Sequence, residues 1–319
     1  MMCKSTERSR EGQGAHTDGR VTMTAMASAI DEWLSALALE QVAASTFRGF
    51  APLGRRSRTF GGMTMGQALV AAGTGIDIDR HVIRSVHCDF IRAGDPRLPV
   101  DFDVVPTSDG RTFATRRVVA RQDEATLFNL LARFHSPESG DDFQSSMPTG
   151  MPSPTSLVDY PTHIAPHAAK VPDWADGRLP IDVRMIEEGG PTGQRSWVRI
   201  GDGSAGEELA ASSIDTPVLH ACGLLYASDM TLIGSALVPF GRSWTDDGVQ
   251  IASLDHAMWF HRPFDVDGWL LYDQQVLSVE SSRGLALGRM YSADGHLVAT
   301  VVQDGLVRGA SGVDQSSTI

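Results

Sequence analysis

Ser253, Asp255, His256 and His261 lie within the segment SLDHAMWFH, which holds every side chain of a serine-hydrolase triad. A serine nucleophile needs its histidine base within about 3 Å. Read as a β-strand, this segment has a side-chain period of two, which places Ser253 and His256 on opposite faces of the sheet. No G-x-S-x-G elbow occurs in the chain. The pattern therefore argues against serine nucleophile chemistry in this segment.

Metal and cofactor chemistry are also disfavoured. His256 and His261 are five residues apart, so a strand directs them to opposite faces, which does not suit a shared metal ion. We expect both as buried structural histidines. The segment FGGMTMG, residues 60–66, lacks the G-x-G-x-x-G spacing and the G-K-[ST] ending of nucleotide-binding loops. We therefore predict no metal ion and no redox or nucleotide cofactor.

The composition of the chain limits its class. Of 319 residues, 42% are hydrophobic and 21% charged, with a formal net charge of −12. These proportions are typical of a soluble globular protein, and the acidic balance argues against nucleic-acid binding. The sequence contains no run of 18 or more apolar residues, which is the pattern that would predict a membrane span. Three cysteines, few and far apart in sequence, favour reduced thiols and a cytoplasmic location.

The chain divides into two comparable halves around a polar segment rich in proline, serine and threonine. We predict a disordered extension over 1–27, a first domain over 28–140, a linker over 141–179, a second domain over 180–309 and a flexible tail over 310–319. Each half contains an apolar helix-like segment, at 60–73 and at 228–238, and four strand-like runs follow it. Phe90, Arg92 and Asp95 recur 170 residues later as Phe260, Arg262 and Asp265, which indicates a duplication.

The predicted helices are apolar on nearly all sides, so most of their surface must be buried. A sheet wrapped around one long helix buries it in this way, and two copies side by side would form a pseudo-dimer within one chain. The fold class is therefore α+β. Because sheets of this kind can pair edge to edge, we also expect a homodimer or a higher homo-oligomer.

Specific strings carry a family resemblance. FGGMTMGQAL, HCDFIRAGD, DGRTFATRRVVARQ, LLYASDM, QIASLDHAMWFHRPF and VVQDGLVR resemble the acyl-CoA thioesterase II (TesB-type) family, in order and spacing from about residue 47 to residue 308. The resemblance implies a tandem, or double, hotdog fold. It also implies hydrolysis of acyl-CoA to fatty acid and CoA, by water directly and without a covalent acyl-enzyme.

The same resemblance implies three catalytic residues, Asp229, Ser253 and Gln303, with serine where the family often has threonine. Asp229 lies at the start of the predicted second helix, where an N-cap would lie, and helix N–H groups there would favour its ionised form. Gly61 and Gly62 open the first helix and could supply N–H donors to the thioester oxygen. Arg92, Arg262 and Arg308 could contact CoA phosphates, although structural ion pairs suit them equally.

With an offset of 168 in the helix and of 170 in the strands, Gly61, Ile83 and Arg133 occupy the first-half positions of Asp229, Ser253 and Gln303. We therefore predict one active site per chain, in the second half. Two alternatives remain open. A hotdog hydratase or dehydratase would carry a D-x-N-P-x-H string, which is absent. A non-catalytic acyl-CoA-binding module would not need the complete set of Asp229, Ser253 and Gln303.

Overall fold

The computed structural model describes residues 29–52, 58–77, 79–168, 179–186, 190, 192–203, 205–214 and 216–309. The predicted disordered extension and flexible tail lie outside these residues. A single antiparallel sheet of 13 strands contains both halves.

The first half consists of two helices and six strands. Its elements are α1 (29–37), β1 (Glu40–Ala43), β2 (Thr46–Gly49), α2 (Gly61–Gly73), β3 (Val82–Phe90), β4 (Val100–Asp109), β5 (Phe113–Gln122) and β6 (Ala125–His135). Between the halves, the short helix α3 (Tyr160–Ile164) lies between 3-10 turns at Pro154–Ser156 and Ala165–His167.

The second half repeats this order. Its elements are β7 (Ile181–Ile186), β8 (Gly193–Ile200), α4 (Gly206–Ala210), α5 (Thr216–Thr231), a 3-10 helix at Ile233–Phe240, β9 (Gln250–Ser253), β10 (Asp255–Phe260), β11 (Leu270–Glu280), β12 (Arg283–Ser292) and β13 (Leu297–Arg308). The strand-like runs of the sequence are thus confirmed as strands. In the sheet the strands lie in the order β1-β2-β4-β5-β6-β3-β10-β13-β12-β11-β8-β7, with β9 also paired to β13. The architecture is the expected double hotdog.

Strand pairing confirms the duplication. Adjacent strands β3 and β10 join the halves, and His87 pairs with Ala257, its own counterpart 170 residues later. A pseudo-twofold axis therefore passes through this pair. The offset between the last strands, β6 and β13, is 171 rather than 170. His87 pairs with Leu131 in the first half, and its counterpart Ala257 pairs with Val302, which lies 171 residues after Leu131. One residue reverses the face of a strand, so this small difference matters for the site.

Helices α2 and α5 pack antiparallel inside the sheet. Gly66 lies against Cys222, and Gly73 against Val218 at the other end. The expected second helix at 228–238 was placed wrongly: α5 ends at Thr231, and most of the predicted range is a separate 3-10 helix. Both segments are apolar all round, so periodicity alone could not separate them.

Thr216–Phe240 has the length and apolar composition of a membrane span, yet 83% of its most apolar 18-residue window is buried in the protein. Since α5 packs on α2 and both are enclosed by the sheet, this stretch is a core helix.

Candidate active site

A cavity of about 580 Å³ lies between the two halves. Aromatic and aliphatic side chains from both halves form much of its wall, among them Phe60, Phe90, Phe128, Met230, Trp244 and Ile251. Asp229 and Ser253 border the same cavity. An apolar chamber that contains one carboxylate is suited to an apolar ligand with a reactive polar centre.

Asp229 lies in the last turn of α5 and not at a helix N-cap, so that expectation was wrong. The helix begins earlier in the sequence than its apolar pattern suggested, which moves Asp229 from the start of one element to the end of another. The carboxylate is buried, with 8% of the residue exposed. Its position near the negative end of the helix dipole does not favour ionisation, so other groups must hold the charge.

Three donors converge on this carboxylate. The Gln303 amide donates to Asp229 Oδ1 at 2.9 Å, and the Ser253 hydroxyl donates to the same oxygen at 3.2 Å. The Gly62 N–H donates to Asp229 Oδ2 at 2.8 Å. Gln303 also donates to Ser253 Oγ at 2.9 Å, which closes the cluster. The structure thus brings together Asp229, Ser253, Gln303 and Gly62.

The Gly62 donor belongs to the N-terminus of α2, in the first half. The residue before α2, Phe60, makes no side-chain cap, so Asp229 serves as the acceptor that a capping side chain would provide. The capping chemistry expected for Asp229 therefore occurs, but at the helix of the other half. No sequence pattern showed this contact, because it joins residues 167 positions apart.

Small residues are required where the two helices meet. A Cβ on Gly61 would lie 2.7 Å from Asp229 Oδ2, and one on Gly62 would lie 2.9 Å from the Tyr226 Cα. Both glycines thus permit the carboxylate to approach α2 closely. The Gly62 N–H is used by Asp229, whereas the Gly61 N–H has no acceptor among the described residues, and Gly61 borders the cavity.

Burial raises the pKa of Asp229 to about 6, and the hydrogen bonds from Gln303, Gly62 and Ser253 oppose that rise. A nearby cation, Arg58, also lowers this pKa, as the weakest of these influences. A carboxylate with such a pKa is ionised near neutrality yet is a stronger base than an exposed aspartate. It is suited to accept a proton from water.

A bulge at Leu254 corrects the predicted orientation of Ser253. Leu254 lies between β9 and β10, and the Asp255 side chain accepts the Asp304 N–H at 2.8 Å in place of a backbone carbonyl. The bulge breaks the strict alternation, so Ser253 and His256 both face α5 rather than opposite sides of the sheet. His256 Nε2 lies 3.0 Å from Ser228 Oγ, while Ser253 bonds to Asp229. The segment therefore still forms no triad.

Arginines near the cavity differ in their partners. Arg58 and Arg92 line it and form no ion pair with any described residue. Arg242 also lines it but pairs with Asp246 at 2.7 Å. Arg262 instead pairs with Asp142 and donates to the Leu297 carbonyl, so it is structural. Arg308 ends β13, outside the cavity lining.

Comparison with known proteins gives the family. A family model described as acyl-CoA thioesterase matches residues 193–306, and one described as the acyl-CoA thioesterase N-terminal domain matches residues 51–135. Human acyl-coenzyme A thioesterase 8 is 36% identical over 303 residues, covering 88% of this chain and 90% of that protein. The chain belongs to the TesB-type acyl-CoA thioesterase II family. It is a thioester hydrolase that acts on acyl-CoA.

Other relatives of the thioesterase agree. Acyl-CoA thioesterase 2 of Haemophilus influenzae is 31% identical over 298 residues, covering 89% of this chain and 99% of that protein. The solved structure of acyl-CoA thioesterase II TesB2 from Mycobacterium marinum has a TM-score of 0.71 and 35% identity, covering 91% of this chain and 100% of that one. The double hotdog assignment is thereby confirmed.

Several residues around the thioesterase site are not recognisable from the sequence. Gly62 was assigned to the substrate and not to Asp229, and the cavity wall formed by Tyr160, Trp244 and Ile233 had no local signal. The assignment of Gln303 to a first-half counterpart also shifts by one. Gln303 pairs with Ala286 as Ala132 pairs with Arg116, so Ala132, and not Arg133, occupies its position. The turn that joins β12 to β13 is longer than the turn that joins β5 to β6, which accounts for this shift.

Proposed function

We propose that Asp229 activates a water molecule that attacks the thioester directly, with Ser253 and Gln303 fixing the carboxylate and the water. One observation carries this proposal: a single buried carboxylate accepts three hydrogen bonds and borders a cavity of about 580 Å³. All three donors are uncharged, so they orient the base without neutralising it. The raised pKa of Asp229 supports the same role.

The reaction then needs one proton acceptor that later becomes a donor. The water oxygen forms a bond to the thioester carbonyl carbon while one water proton passes to Asp229. The carbon–sulfur bond breaks as the tetrahedral intermediate collapses, and the CoA sulfur leaves with the proton that Asp229 returns. Fatty acid and CoA are the products, and the carboxylate is regenerated without an acyl-enzyme.

The negative charge that develops on the thioester oxygen needs a donor. We assign this role to the Gly61 N–H, which lies in the first turn of α2 beside Asp229 and borders the cavity. The N-terminal N–H groups of a helix are not used within the helix, and the helix dipole favours negative charge there. Gly62 is left to hold the base.

The two ends of acyl-CoA differ in chemistry, and so do the regions of the cavity. Aromatic walls at Phe60, Phe90 and Phe128 suit the acyl chain. Arg58 and Arg92 are exposed and form no ion pair with any described residue, so they suit the CoA phosphates. In a chain with a net charge of −12, such cations attract an anionic ligand locally.

The test of the base is a single-turnover experiment with saturating enzyme and a series of acyl-CoA chain lengths. Wild type should release CoA and fatty acid at the same rate, with no acyl adduct in the mass spectrum of the quenched enzyme. Asp229→Asn should slow the release of both by about 1000-fold. An acyl adduct, or a burst of CoA ahead of fatty acid, would refute direct attack by water.

The test of the phosphate contacts compares acyl-CoA with the same acyl group on pantetheine, which lacks the nucleotide. Arg58→Gln and Arg92→Gln should raise KM for acyl-CoA roughly tenfold, with kcat unchanged, and leave acyl-pantetheine turnover as in wild type. Arg262→Gln serves as the matched control, since its ion pair with Asp142 is structural. Equal effects on both substrates would contradict the assignment.

The alternative of a hotdog hydratase has no observation in its favour. A homodimer or higher homo-oligomer and a cytoplasmic location both stay predictions. Light scattering at several protein concentrations would measure the assembly state, and fractionation of the source cells would give the location.

A further inference from the structure

The last turn of α5 is held by side chains from the sheet. In a helix that ends at Thr231, the four carbonyls of residues 228–231 have no partner within the regular helix. Two of them accept hydrogen bonds from strand side chains. The Tyr272 hydroxyl donates to the Ser228 carbonyl at 3.0 Å, and the Gln194 amide donates to the Thr231 carbonyl at 2.8 Å. Asp229 lies between these two carbonyls.

A second pair of bonds strengthens the Thr231 side. The Gln274 amide donates to Thr231 Oγ1 at 2.9 Å, and Gln194 donates to Gln274 Oε1 at 2.9 Å. Gln274 is only 2% exposed. Because the Gln274 amide is buried and hydrogen-bonded through both its oxygen and its nitrogen, it holds the Thr231 side chain in a defined position.

The Tyr272 ring is fixed by its neighbours. Tyr272 is fully buried, and its ring lies against Gly288, where an added Cβ would be 2.4 Å from Cε2. The glycine therefore makes the space into which the ring packs. A ring held in this way positions its hydroxyl on the Ser228 carbonyl with little freedom.

Ser228 is also held through its side chain, by His256. His256 is fully buried, its Nε2 lies 3.0 Å from Ser228 Oγ, and burial lowers its pKa to about 3. The ring is therefore neutral at physiological pH. Both groups that hold Ser228 are uncharged, so they fix the residue next to Asp229 without altering the charge of the site.

We propose that Tyr272 and Gln274 are positioning residues of the thioesterase, which hold the last turn of α5 so that Asp229 keeps its three hydrogen bonds. Helix ends open more easily than helix centres. A displacement of about 1 Å at a reacting group can cost roughly 100-fold in rate. The inference rests on the proposed role of Asp229 as the base.

The first experiment compares Tyr272→Phe with Tyr291→Phe. Each change removes one buried tyrosine hydroxyl that makes one hydrogen bond, since the Tyr291 hydroxyl lies 3.1 Å from Ser145 Oγ. We expect Tyr272→Phe to lower kcat roughly 10- to 100-fold with KM unchanged. It should also raise the pH at which activity falls on the acid side, because weakened hydrogen bonds no longer favour the ionised Asp229.

Tyr291→Phe should leave kcat and the acid side of the pH profile as in wild type. Gln274→Met and Gln122→Met form a second matched pair, because Gln122 is also buried and donates to the carbonyls of Asp95 and Leu98, none of which lines the cavity. This second pair still tests the positioning role if Tyr272→Phe does not fold. We expect Gln274→Met alone to lower kcat.

Three results decide the matter. If both variants of each pair share the same kcat and acid profile, the positioning role is wrong. If Asp229→Asn lowers kcat about 1000-fold at the same time, only the positioning role fails and the proposed function stands. If Asp229→Asn retains turnover, the base assignment fails, and the positioning role fails with it.

Discussion

The two halves of the thioesterase share a strand framework but differ beside their core helices. Eight residues, 74–81, join α2 to β3, whereas eighteen residues, 232–249, join α5 to β9. The longer connection contains the 3-10 helix Ile233–Phe240, and its residues Ile233, Val238 and Trp244 line the cavity. The additional chain thus builds a cavity wall that the first half lacks.

The side chains at matching positions differ as well. When the C-terminal ends of α2 and α5 are aligned, the first-half residue equivalent to Asp229 is Ala71 rather than Gly61. By strand pairing, the first-half residue equivalent to Ser253 is Ile83, and the one equivalent to Gln303 is Ala132. All three first-half counterparts are apolar. The first half contributes differently, through the Gly62 N–H and the aromatic cavity wall, so one site is built from unlike parts of a duplicated fold.

The largest expected effect comes from Asp229→Asn, which removes the base from the half that has one. We expect kcat to fall by about 1000-fold, within the usual range for loss of a general base, measured as CoA release. Asp182→Asn is the control, because Asp182 is equally buried but pairs with Arg184 and Arg199. Turnover per folded molecule should survive in that variant.

Gln303→Ala gives the second half the side chain found at Ala132 in the first. We expect a fall in kcat of roughly 10- to 100-fold, since one donor to the carboxylate is lost. Ser253→Ala should have a smaller effect, because its bond to Asp229 is longer, and Ser253→Thr should retain activity. A Gln303→Ala enzyme with wild-type kcat would show that the amide is not needed.

The pH dependence of kcat should follow the ionisation of Asp229, whose counterpart in the first half is apolar. Since Asp229 must be ionised and its pKa is about 6, kcat should fall tenfold per pH unit below pH 6. The pKa of Asp229 is raised from the ordinary 3.8 to about 6 in the folded protein, so the residue lowers the free energy of unfolding as the pH rises through this range. Relative to wild type, the free energy of unfolding of Asp229→Asn should therefore rise by up to ~3 kcal/mol between pH 4 and pH 7, as measured by denaturant unfolding.

The smallest effect distinguishes the two ends of α2. A Cβ on Gly62 would lie 2.9 Å from the Tyr226 backbone, whereas a Cβ on Gly73 would make only ordinary contact with Val218 at 3.4 Å. We expect Gly62→Ala to lower unfolding free energy by about 1–3 kcal/mol and also to reduce kcat. Gly73→Ala should be neutral or slightly stabilising. Equal effects would mean that the close approach at Gly62 is not required.

Strands were the part of the fold that sequence patterns predicted well. Alternation along β10, where His256, Met258 and Phe260 are buried, depends only on residues close in the chain. The helix was harder. Thr216–Phe240 is predominantly apolar, so its pattern did not show where α5 ends and the 3-10 helix begins, and Asp229 was assigned to the wrong helix end.

The amino-acid sequence alone determined the duplication, the double hotdog and the identity of the three polar residues, because these depend on local periodicity and on specific strings. Only the tertiary structure decided which helix N-terminus meets Asp229. That contact depends on the crossing of α2 and α5, on glycines small enough to permit it and on a bulge at Leu254 that turns Ser253 inward. Such geometry arises from packing between distant segments, which a linear pattern does not contain.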